Sequence, residues 1–356
     1  MKGVVLAGGT GTRLRPFTHT MPKQMISIGG KPVLEHAIDK LRDAGITEIG
    51  VVLGETGHEA IQSYFGTGEE FSADLTYIYQ GEALGLGHAV GCTESFVDGD
   101  SFVLYLGDDI LQHDISEFIS QFNPEEYAGS IAVQPVDDPS RYGIVKTNSD
   151  GHIIGMIEKP SDPPTNLAGI GVFAFTPAIF DEIEHVEPSW RGEVELSDAI
   201  QRLLSAGEIF QSHVAEGWWY DVGTPEDVLA ANRAVLDGLP EETRLSHDEY
   251  DGVSGRVSIG EDTEIESGAI VRGPVHLGAR VTVESGSYIG PFSTIEDDCS
   301  IKGAVVESSV ILQDATISCD ARITDSIIGQ SARVSESTQS GAGHRLLIGT
   351  DDEVSL

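Results

Sequence analysis

The sequence contains few basic residues. Of its 356 residues 21 are Lys or Arg and 58 are Asp or Glu, which gives a formal net charge of −37. So acidic a surface repels phosphate backbones and anionic lipids, which argues against a nucleic-acid or membrane partner. Hydrophobic residues make up 40%, which is too many for a disordered chain. The imbalance instead favours adaptation to high salt, where the Debye length falls to about 3 Å at 1 M and self-repulsion costs little.

Cysteines and long apolar runs are also scarce. Cys92, Cys299 and Cys319 are far apart, so neither a disulfide framework nor a zinc cluster is expected. No apolar run approaches the roughly 20 residues that span a bilayer. Glycines interrupt the N-terminal run MKGVVLAGG too early for a secretory signal. These features predict a cytoplasmic protein.

The first 237 residues alternate predicted strands and helices. The apolar run Lys2–Ala7 predicts a buried strand, and residues 32–44 have apolar positions at helical spacing between Pro32 and Gly45. Continued alternation predicts an α/β domain with a Rossmann-like, mostly parallel sheet over residues 1–237. The polar, aperiodic residues 238–251 predict a linker.

A repeat of six residues follows the linker. The two-residue period of a strand does not explain a repeat of six. A coil with three flat faces explains it, if each face points one aliphatic residue inward. This pattern resembles the hexapeptide repeats of left-handed β-helices, and it predicts such a domain over residues 252–338 with a tail over 339–356. After a slip of four the repeat resumes at Ile311. The aliphatic positions before the slip are Ile259, Ile265, Val271, Leu277, Val283, Ile289, Ile295 and Ile301.

A glycine-rich turn, LAGGTGTRLRP at residues 6–16, follows the first strand. Glycines allow backbone N–H groups to approach a phosphate closely. The third glycine of a dinucleotide fingerprint is missing, and no G-K-[ST] of a Walker loop follows. Arg13 and Arg15 lie at the end of this turn, and Lys23 follows it along the chain. A glycine-rich turn with three cations suits a triphosphate better than a dinucleotide.

This turn and the motifs after it resemble the sugar-1-phosphate nucleotidylyltransferases. Among the branches of that family, the glucose-1-phosphate thymidylyltransferases with a C-terminal β-helix are the most similar. The resemblance implies that a sugar-1-phosphate oxygen attacks the α-phosphorus of an NTP and expels pyrophosphate, with Mg²⁺ as cofactor. The motifs in the family's order are LAGGTGTRLRPFT, MPKQM, Gln80 with GLGHA at 85–89, LGDD at 106–109, YGIVK at 142–146, EKP at 158–160, NLAGIG at 166–171, GEVELSDA at 192–199 and WYDVGT at 219–224.

The resemblance assigns Mg²⁺ to Asp108 and Asp221. Magnesium prefers oxygen ligands and usually takes one or two carboxylates together with substrate phosphates. Asp108 also follows a predicted strand, SFVLYLG, at the carboxyl end where α/β sheets place ligands. The next residue, Asp109, stands where thymidylyltransferases usually have Asn, and the sequence leaves a contact between Asp109 and the metal open.

The resemblance gives the other site residues their roles. Arg13 and Lys23 would hold the triphosphate and stabilise charge in the transition state; salt bridges are the alternative for both. Trp218 and Trp219 are expected to be packing residues. The nucleotide-binding set is Leu6, Gly8, Gly9, Gly11, Thr12, Arg13, Gln80, Gly85 and Asp108. The sugar-phosphate set is Tyr142, Gly143, Glu158, Lys159, Asn166, Gly171 and Glu193.

Three further assignments have a structural alternative. Gln80 could be a surface residue at a strand end, and Lys159 an exposed side chain near a proline-rich turn. Glu193 could be an acid at a helix N-terminus, where the helix dipole favours negative charge.

The expected activity joins dTTP or UTP to glucose 1-phosphate and gives dTDP-glucose or UDP-glucose for surface polysaccharide or glycoprotein synthesis. Other bases, mannose and N-acetylglucosamine stay open as substrates. A non-catalytic regulatory paralogue is less favoured, because such copies should lose phosphate or metal ligands. A bifunctional acyltransferase would need a histidine base, and in the repeat region only His276 is available, which we expect at the surface. We expect a homo-oligomer, with the β-helix serving assembly or regulation.

Overall fold

The computed structural model describes residues 1–245, 250–335 and 346–355. The chain forms two compact units, one of Met1–Thr10 with Leu34–Asp221 and the other of Gly11–Val33 with Val222–Leu356. The predicted linker and tail lie partly outside the described residues, and the predicted domain limits stay predictions. In the described part of the chain, no helix is both long enough and apolar enough to cross a membrane.

Strands and helices alternate through the first 237 residues, as the sequence predicts. The strands are β1 (Lys2–Ala7), β2 (Ser27–Ile28), β3 (Lys31–Pro32), β4 (Glu48–Gly54), β5 (Asp74–Gly81), β6 (Phe102–Leu106), β7 (Asp109–Leu111), β8 (Gly129–Pro135), β9 (Gly143–Thr147), β10 (His152–Glu158), β11 (Leu167–Phe175), β12 (Phe210–Val214) and β13 (Trp219–Asp221). The helices are α1 (Val33–Asp43), α2 (His58–Phe65), α3 (Leu86–Gly91), α4 (Glu94–Val97), α5 (Ser116–Gln121), α6 (Ala178–Ile183), α7 (Leu196–Ala206) and α8 (Pro225–Asp237).

The large sheet of the first unit has the order β5-β4-β1-β6-β11-β8-β12-β10-β9. The strands β5, β4, β1 and β6 are parallel, whereas β11 runs antiparallel to both β6 and β8. This confirms the predicted α/β fold class. The pairing of Leu6 with Leu106 aligns the carboxyl ends of β1 and β6, and Gly107 N–H donates to the carbonyl of Leu6 at 2.9 Å. The glycine turn after β1 and Asp108 therefore begin at the same edge of the sheet.

The helix predicted over residues 32–44 is α1. Its apolar positions all have 0% exposed surface, because helical spacing brings them onto one face. The helix predicted near 85–96 is divided into α3 and α4, with Cys92 and Thr93 between them. Periodicity alone does not show this break, because both helices bury apolar residues such as Val90 and Val97 in the core of the first unit.

The second unit contains the β-helix that the six-residue repeat predicts. From Val253 onwards its strands stack in parallel on three faces, and equivalent positions such as Val253, Val271 and Ile289 pair at intervals of 18 residues, or three times six. The strands are β14 (Arg244–Leu245), β15 (Val253–Ile259), β16 (Glu264–Ile265), β17 (Ile270–Arg272), β18 (Val275–Leu277), β19 (Thr282–Val283), β20 (Tyr288–Ile289), β21 (Ser293–Ile295), β22 (Ser300–Lys302), β23 (Val305–Glu307), β24 (Val310–Ile311), β25 (Thr316–Ser318), β26 (Arg322–Thr324), β27 (Ile327–Ile328), β28 (Arg333–Ser335), β29 (Leu347–Ile348) and β30 (Glu353–Ser355).

The coil shortens where the sequence shows a slip of four. Val306 fills an inward position between Ile301 and Ile311, and it pairs with Ile289 in the coil before and Ile323 in the coil after. Two successive faces are thus one residue short each, which preserves the stacking of aliphatic side chains. The sequence predicts a tail over residues 339–356. In the part of it that the structure describes, residues 346–355, β29 pairs with β27 and β30 pairs with β28.

His276, expected at the surface, is covered by the hairpin of β2 and β3. A β-carbon at Gly30, which joins these strands, would overlap the His276 ring. Burial lowers the pKa of His276 to about 4, although Asp297 acts in the opposite direction. The expectation of an exposed side chain was wrong because the covering residues are far away in sequence.

The stacked aliphatic core predicts a position-dependent cost of truncation. Ile301 on β22 has 0% exposed surface, whereas Ile270 on β17 of the same β-helix is 38% exposed. Ile301→Ala should lower the free energy of unfolding by ~2–5 kcal/mol through lost burial and a residual cavity. Ile270→Ala should cost less than about 1 kcal/mol. Equal shifts of the two variants in urea unfolding, followed by circular dichroism, would contradict this packing.

The buried imidazole predicts a pH dependence of stability. The pKa of His276 falls from 6.5 in the unfolded chain to about 4 in the folded protein. Between these values only the unfolded chain binds the proton, so the unfolding free energy decreases as pH falls from 6.5 towards 4. In His276→Gln this decrease should be shallower, by about 1 kcal/mol per pH unit. Urea unfolding at several pH values measures it, with exposed His185→Gln as the control. Parallel profiles for wild type and His276→Gln would refute the buried state.

Candidate active site

The turn after β1 packs against the end of β5 within the first unit. A β-carbon at Gly8 would lie 2.8 Å from Gln80 Oε1, so the missing side chain lets Gln80 lie close to the turn. Gly9 is exposed, whereas the side chain of Leu6 is 6% exposed. Leu6 can therefore serve a nucleotide only through its backbone.

Gln80 and Gly85 lie together, beside Glu193. The Gln80 Nε2 donates to the carbonyl of Gly85 at 3.2 Å and lies 3.3 Å from His88 Nδ1. Gly85 has a φ of 107°, and a β-carbon there would lie 2.7 Å from the Val194 carbonyl and 2.9 Å from the Glu193 β-carbon. The residues assigned to the base and one assigned to the sugar thus meet at a single glycine.

An arginine that the sequence analysis did not select organises the acids of this region. Arg191 Nη2 lies 2.8 Å from Glu193 Oε2 and 2.9 Å from Glu195 Oε2, and its Nε donates to Glu195 Oε1 at 3.0 Å. The same Nη2 is 4.0 Å from Glu158 Oε1. The hydrogen bond to Glu195, opposed in part by burial, raises the pKa of Arg191. The sequence did offer a signal for Arg191, because it is a basic residue just before GEVELSDA in a chain that contains few cations.

The next four sugar-phosphate candidates lie where β9 begins and β10 ends, with Gly143 and Glu158 on the strands and Tyr142 and Lys159 just outside them. Gly143 pairs with Glu158, and a β-carbon at Gly143 would lie 3.1 Å from Glu158 Oε2. Lys159 N–H donates to the carbonyl of Tyr142 at 3.0 Å, and its Nζ lies 3.3 Å from Glu158 Oε1. The Lys159 side chain is 46% exposed, so its ammonium can reach a phosphate. Asn166 is exposed just before β11, which also pairs with β9.

Of the two aspartates assigned to the metal, Asp221 ends β13 and Asp108 is the residue just before β7, both in the first unit. The antiparallel pair β7 and β13 places Asp221 opposite Asp109, so the backbone of Asp221 is next to that of Asp108. Opposed residues in such a pair have Cα atoms about 4.5–5.5 Å apart. Asp108 and Asp221 are half-buried. Within the described residues no group of three or more His, Cys, Asp or Glu could hold a metal. Carboxylates on two adjacent backbone segments fit the chemistry of Mg²⁺, which takes one or two carboxylates and completes its shell with phosphates and water.

Asp109 points into the protein. It is 2% exposed, and a β-carbon at Gly171 would overlap its carboxylate. Gly171 has a φ of 75°, a conformation that favours glycine, and here the missing side chain also makes room for an acid. Gly171, a sugar-phosphate candidate on β11, is thus in contact with Asp109, which follows the metal candidate Asp108. Trp219 packs with Tyr142 at a ring-centroid distance of 5.0 Å, as expected of a packing residue.

The remaining nucleotide candidates belong to the second unit. Gly11 has a φ of 60°, and a β-carbon there would lie 3.0 Å from the Lys23 β-carbon. Thr18 Oγ1 donates to the Gly11 carbonyl at 2.7 Å and closes the turn. Thr12 and Arg13 are exposed in a short 3₁₀ turn, Thr12–Leu14. A β-carbon at Gly223 would lie 2.5 Å from Arg13 Nη2, so the glycine of WYDVGT makes room for this guanidinium.

Comparisons with known proteins show to which family the chain belongs. The family model described as nucleotidyl transferase matches residues 2–238, and the one described as GMPPB C-terminal domain matches residues 271–342. The chain is 45% identical over 357 residues to low-salt glycan biosynthesis nucleotidyltransferase Agl11 of Haloferax volcanii, with 100% of both chains covered. It is 40% identical over 357 residues to a glucose-1-phosphate thymidylyltransferase of Streptomyces antibioticus, with 100% of this chain and 99% of the relative covered.

A solved structure of a similar protein matches the larger part of the chain. It is a Bacillus anthracis protein described as a glucose-1-phosphate thymidylyltransferase, in complex with sucrose. The TM-score is 0.63 at 34% identity, and the match covers 67% of this chain and 96% of that one. The α/β core, the motifs in their order and these full-length relatives together show that the chain is a member of the sugar-1-phosphate nucleotidylyltransferase family.

Proposed function

We propose that this enzyme transfers a thymidylyl group from dTTP to glucose 1-phosphate in a Mg²⁺-dependent reaction. The observation that carries the proposal is the connected set in the first unit. It runs from Gln80 and Gly85 through Glu193 and Arg191 to Lys159. The full-length similarity to the Streptomyces antibioticus thymidylyltransferase supports the choice of nucleotide and sugar.

In the proposed reaction, an oxygen of the sugar phosphate attacks the α-phosphorus of dTTP. A new phosphorus–oxygen bond forms, the bond from the α-phosphorus to the bridging oxygen breaks, and pyrophosphate leaves. The chain needs no side-chain nucleophile for this chemistry, because positioning and charge neutralisation supply most of the catalysis. Arg13 and Lys23 would be the catalytic residues, holding the phosphates and stabilising the charge that develops on them.

Base recognition would come from Gln80 and Gly85. An amide both donates to and accepts from a pyrimidine edge, and the bare glycine leaves space for the ring. Backbone N–H groups of the turn at Gly8, Gly9, Gly11 and Thr12 would surround the phosphates. UTP is the competing substrate, because one methyl group is worth only about 1–3 kcal/mol in a pocket.

Asp108 and Asp221 would hold the Mg²⁺, which neutralises charge on the bound phosphates. Lys159 would bind the phosphate of the sugar substrate, and Glu193 would accept hydrogen bonds from sugar hydroxyls. Arg191 would orient Glu193 and Glu158 towards these partners. The exposed Asn166 and the strand at Gly171 would complete the sugar side, together with Tyr142 and Gly143.

The proposed product is a sugar donor for surface glycans. The similarity to a Haloferax volcanii nucleotidyltransferase of glycan biosynthesis supports this role, and the net charge of −37 suits a cytoplasm of high salt. We also propose that the enzyme is a homo-oligomer.

The metal assignment predicts a large loss of turnover. Asp108→Asn or Asp221→Asn should lower kcat by roughly 100-fold or more and raise the Mg²⁺ concentration for half-maximal activity, because one preorganised charge is removed. Pyrophosphate release in high salt measures this, over a grid of dTTP, UTP, ATP and GTP with the 1-phosphates of glucose, mannose and N-acetylglucosamine.

The control for these variants is Asp100→Asn, an exposed aspartate near the opposite end of β6. It should keep wild-type turnover. Near-normal turnover in a folded Asp108→Asn or Asp221→Asn protein would refute the metal site. The highest kcat/KM with a pair other than dTTP and glucose 1-phosphate would refute the proposed specificity.

The arginine cluster predicts a separate effect on the sugar substrate. Arg191→Met removes the charge-assisted hydrogen bonds that hold Glu193 and Glu195, each worth about 1.5–3 kcal/mol. The KM for glucose 1-phosphate should rise about tenfold or more, while the KM for dTTP changes little. Arg202→Met, which breaks a surface ion pair with Glu182, is the matched control. An unchanged KM for the sugar phosphate would exclude this role.

A further inference from the structure

One buried side chain joins the segment that carries Arg13 and Lys23 to the β-helix, all within the second unit. Asn232 on α8 is 1% exposed. Its Oδ1 accepts hydrogen bonds from Gly29 N–H at 2.8 Å and from Thr294 Oγ1 at 2.7 Å. Its Nδ2 donates to the carbonyl of Phe292 at 3.1 Å. One amide therefore links the β2–β3 hairpin to strand β21 and the residue just before it.

The bonding requires asparagine at this position. An aspartate could accept the two bonds at Oδ1 but could not donate to Phe292, and it would bury a charge. An alanine would leave the buried hydroxyl of Thr294 and two backbone groups without their partner, at about 1–3 kcal/mol each. The amide therefore satisfies polar groups on two distant parts of the chain at once.

The hairpin is shaped to fit against α8 and the β-helix. Gly29 has a φ of 64° and a β-carbon there would overlap Val235 of α8. Gly30 has a φ of 88° and lies over His276 in the same way. A side chain at either glycine would push the hairpin away from the Asn232 amide.

A second contact lies near the other end of the segment. Thr20 Oγ1 is 2.7 Å from Thr350 Oγ1, and a β-carbon at Gly349 would lie 3.3 Å from the β-carbon of Pro16. Lys23 thus lies in the sequence between two points of attachment to the β-helix, at Thr20 and Gly29. Arg13 lies three residues before the first contact, at Pro16.

We propose that Asn232 is a positioning residue for nucleotide binding, and that the β-helix supports the triphosphate-binding segment. The inference rests on the proposed role of Arg13 and Lys23. Held by Asn232, this segment does not have to be ordered when the nucleotide binds, which lowers the entropic cost of binding. The sugar-phosphate residues belong to the first unit and do not depend on this amide.

The test separates the two substrates. Asn232→Ala should raise the KM for dTTP about tenfold or more and leave the KM for glucose 1-phosphate within about twofold. Amide hydrogen exchange of residues 11–33 should become faster in the variant without nucleotide. Asn232→Asp loses the bond to Phe292 and buries a charge, so it should also raise the KM for dTTP.

Two further variants keep the test decisive. Thr294→Val removes one bond to Asn232 with little change of shape, and it replaces Asn232→Ala if that protein does not fold. Ser309→Ala removes a fully buried β-helix hydroxyl, which donates to the Glu307 carbonyl, and it should leave both KM values unchanged.

The outcomes distinguish this inference from the proposed function. If wild type turns over no nucleotide and sugar-phosphate pair, the proposed function fails and the role in nucleotide binding fails with it. If wild type is active, two results for folded Asn232→Ala would overturn the positioning role alone. They are an unchanged KM for dTTP and an equal rise of both KM values.

Discussion

The parallel alignment of β1 with β6 is the constraint on which the first unit depends. It is set by apolar burial on both faces of the sheet, and Gly107 allows the two strand ends to close. A β-carbon at Gly107 would lie 2.7 Å from the Leu6 carbonyl, which instead accepts a hydrogen bond from Gly107 N–H. The glycine turn after β1 and Asp108 after β6 consequently leave the sheet at one edge. A shift of either strand would separate them.

Two basic side chains of the first unit, Arg191 and Lys159, lie beside a cluster of glutamates. Arg191 contacts Glu193, Glu195 and Glu158, and Lys159 lies beside the same Glu158. In a chain with 58 acidic and 21 basic residues, such a cluster prevents the glutamates from repelling one another as well as the substrate. The arginine fork suits this task because its donors have a fixed planar geometry. The scarcity of cations therefore makes each one informative.

The interior of the β-helix is a regular stack of aliphatic side chains, whereas its exterior makes particular contacts with other parts of the second unit. Inside, aliphatic residues stack every 16 to 20 positions, and the coil can lose one residue at two successive faces, as at Val306, without exposing its core. Outside, the same coils contact a segment from the start of the chain directly at Thr350 and His276. Thr294 reaches that segment through the Asn232 amide. The interior follows from hydrophobic burial alone, whereas the exterior needs particular hydrogen bonds.

Local periodicity was enough to predict the α/β alternation and the β-helix, and motif order selected the residues near Gly85 and Asp108 as candidates for the site. These features depend on residues that are neighbours along the chain or that recur at a period of two, 3.6 or six. Such a period places apolar residues on one buried face, so it is visible in the sequence. The contacts of Arg191, the three bonds of Asn232, the buried ring of His276 and the inward Val306 could not be predicted in this way. Each depends on residues that only the folded backbone brings together, because the energy of a buried hydrogen bond or a missing β-carbon is decided by three-dimensional distance and not by separation in sequence.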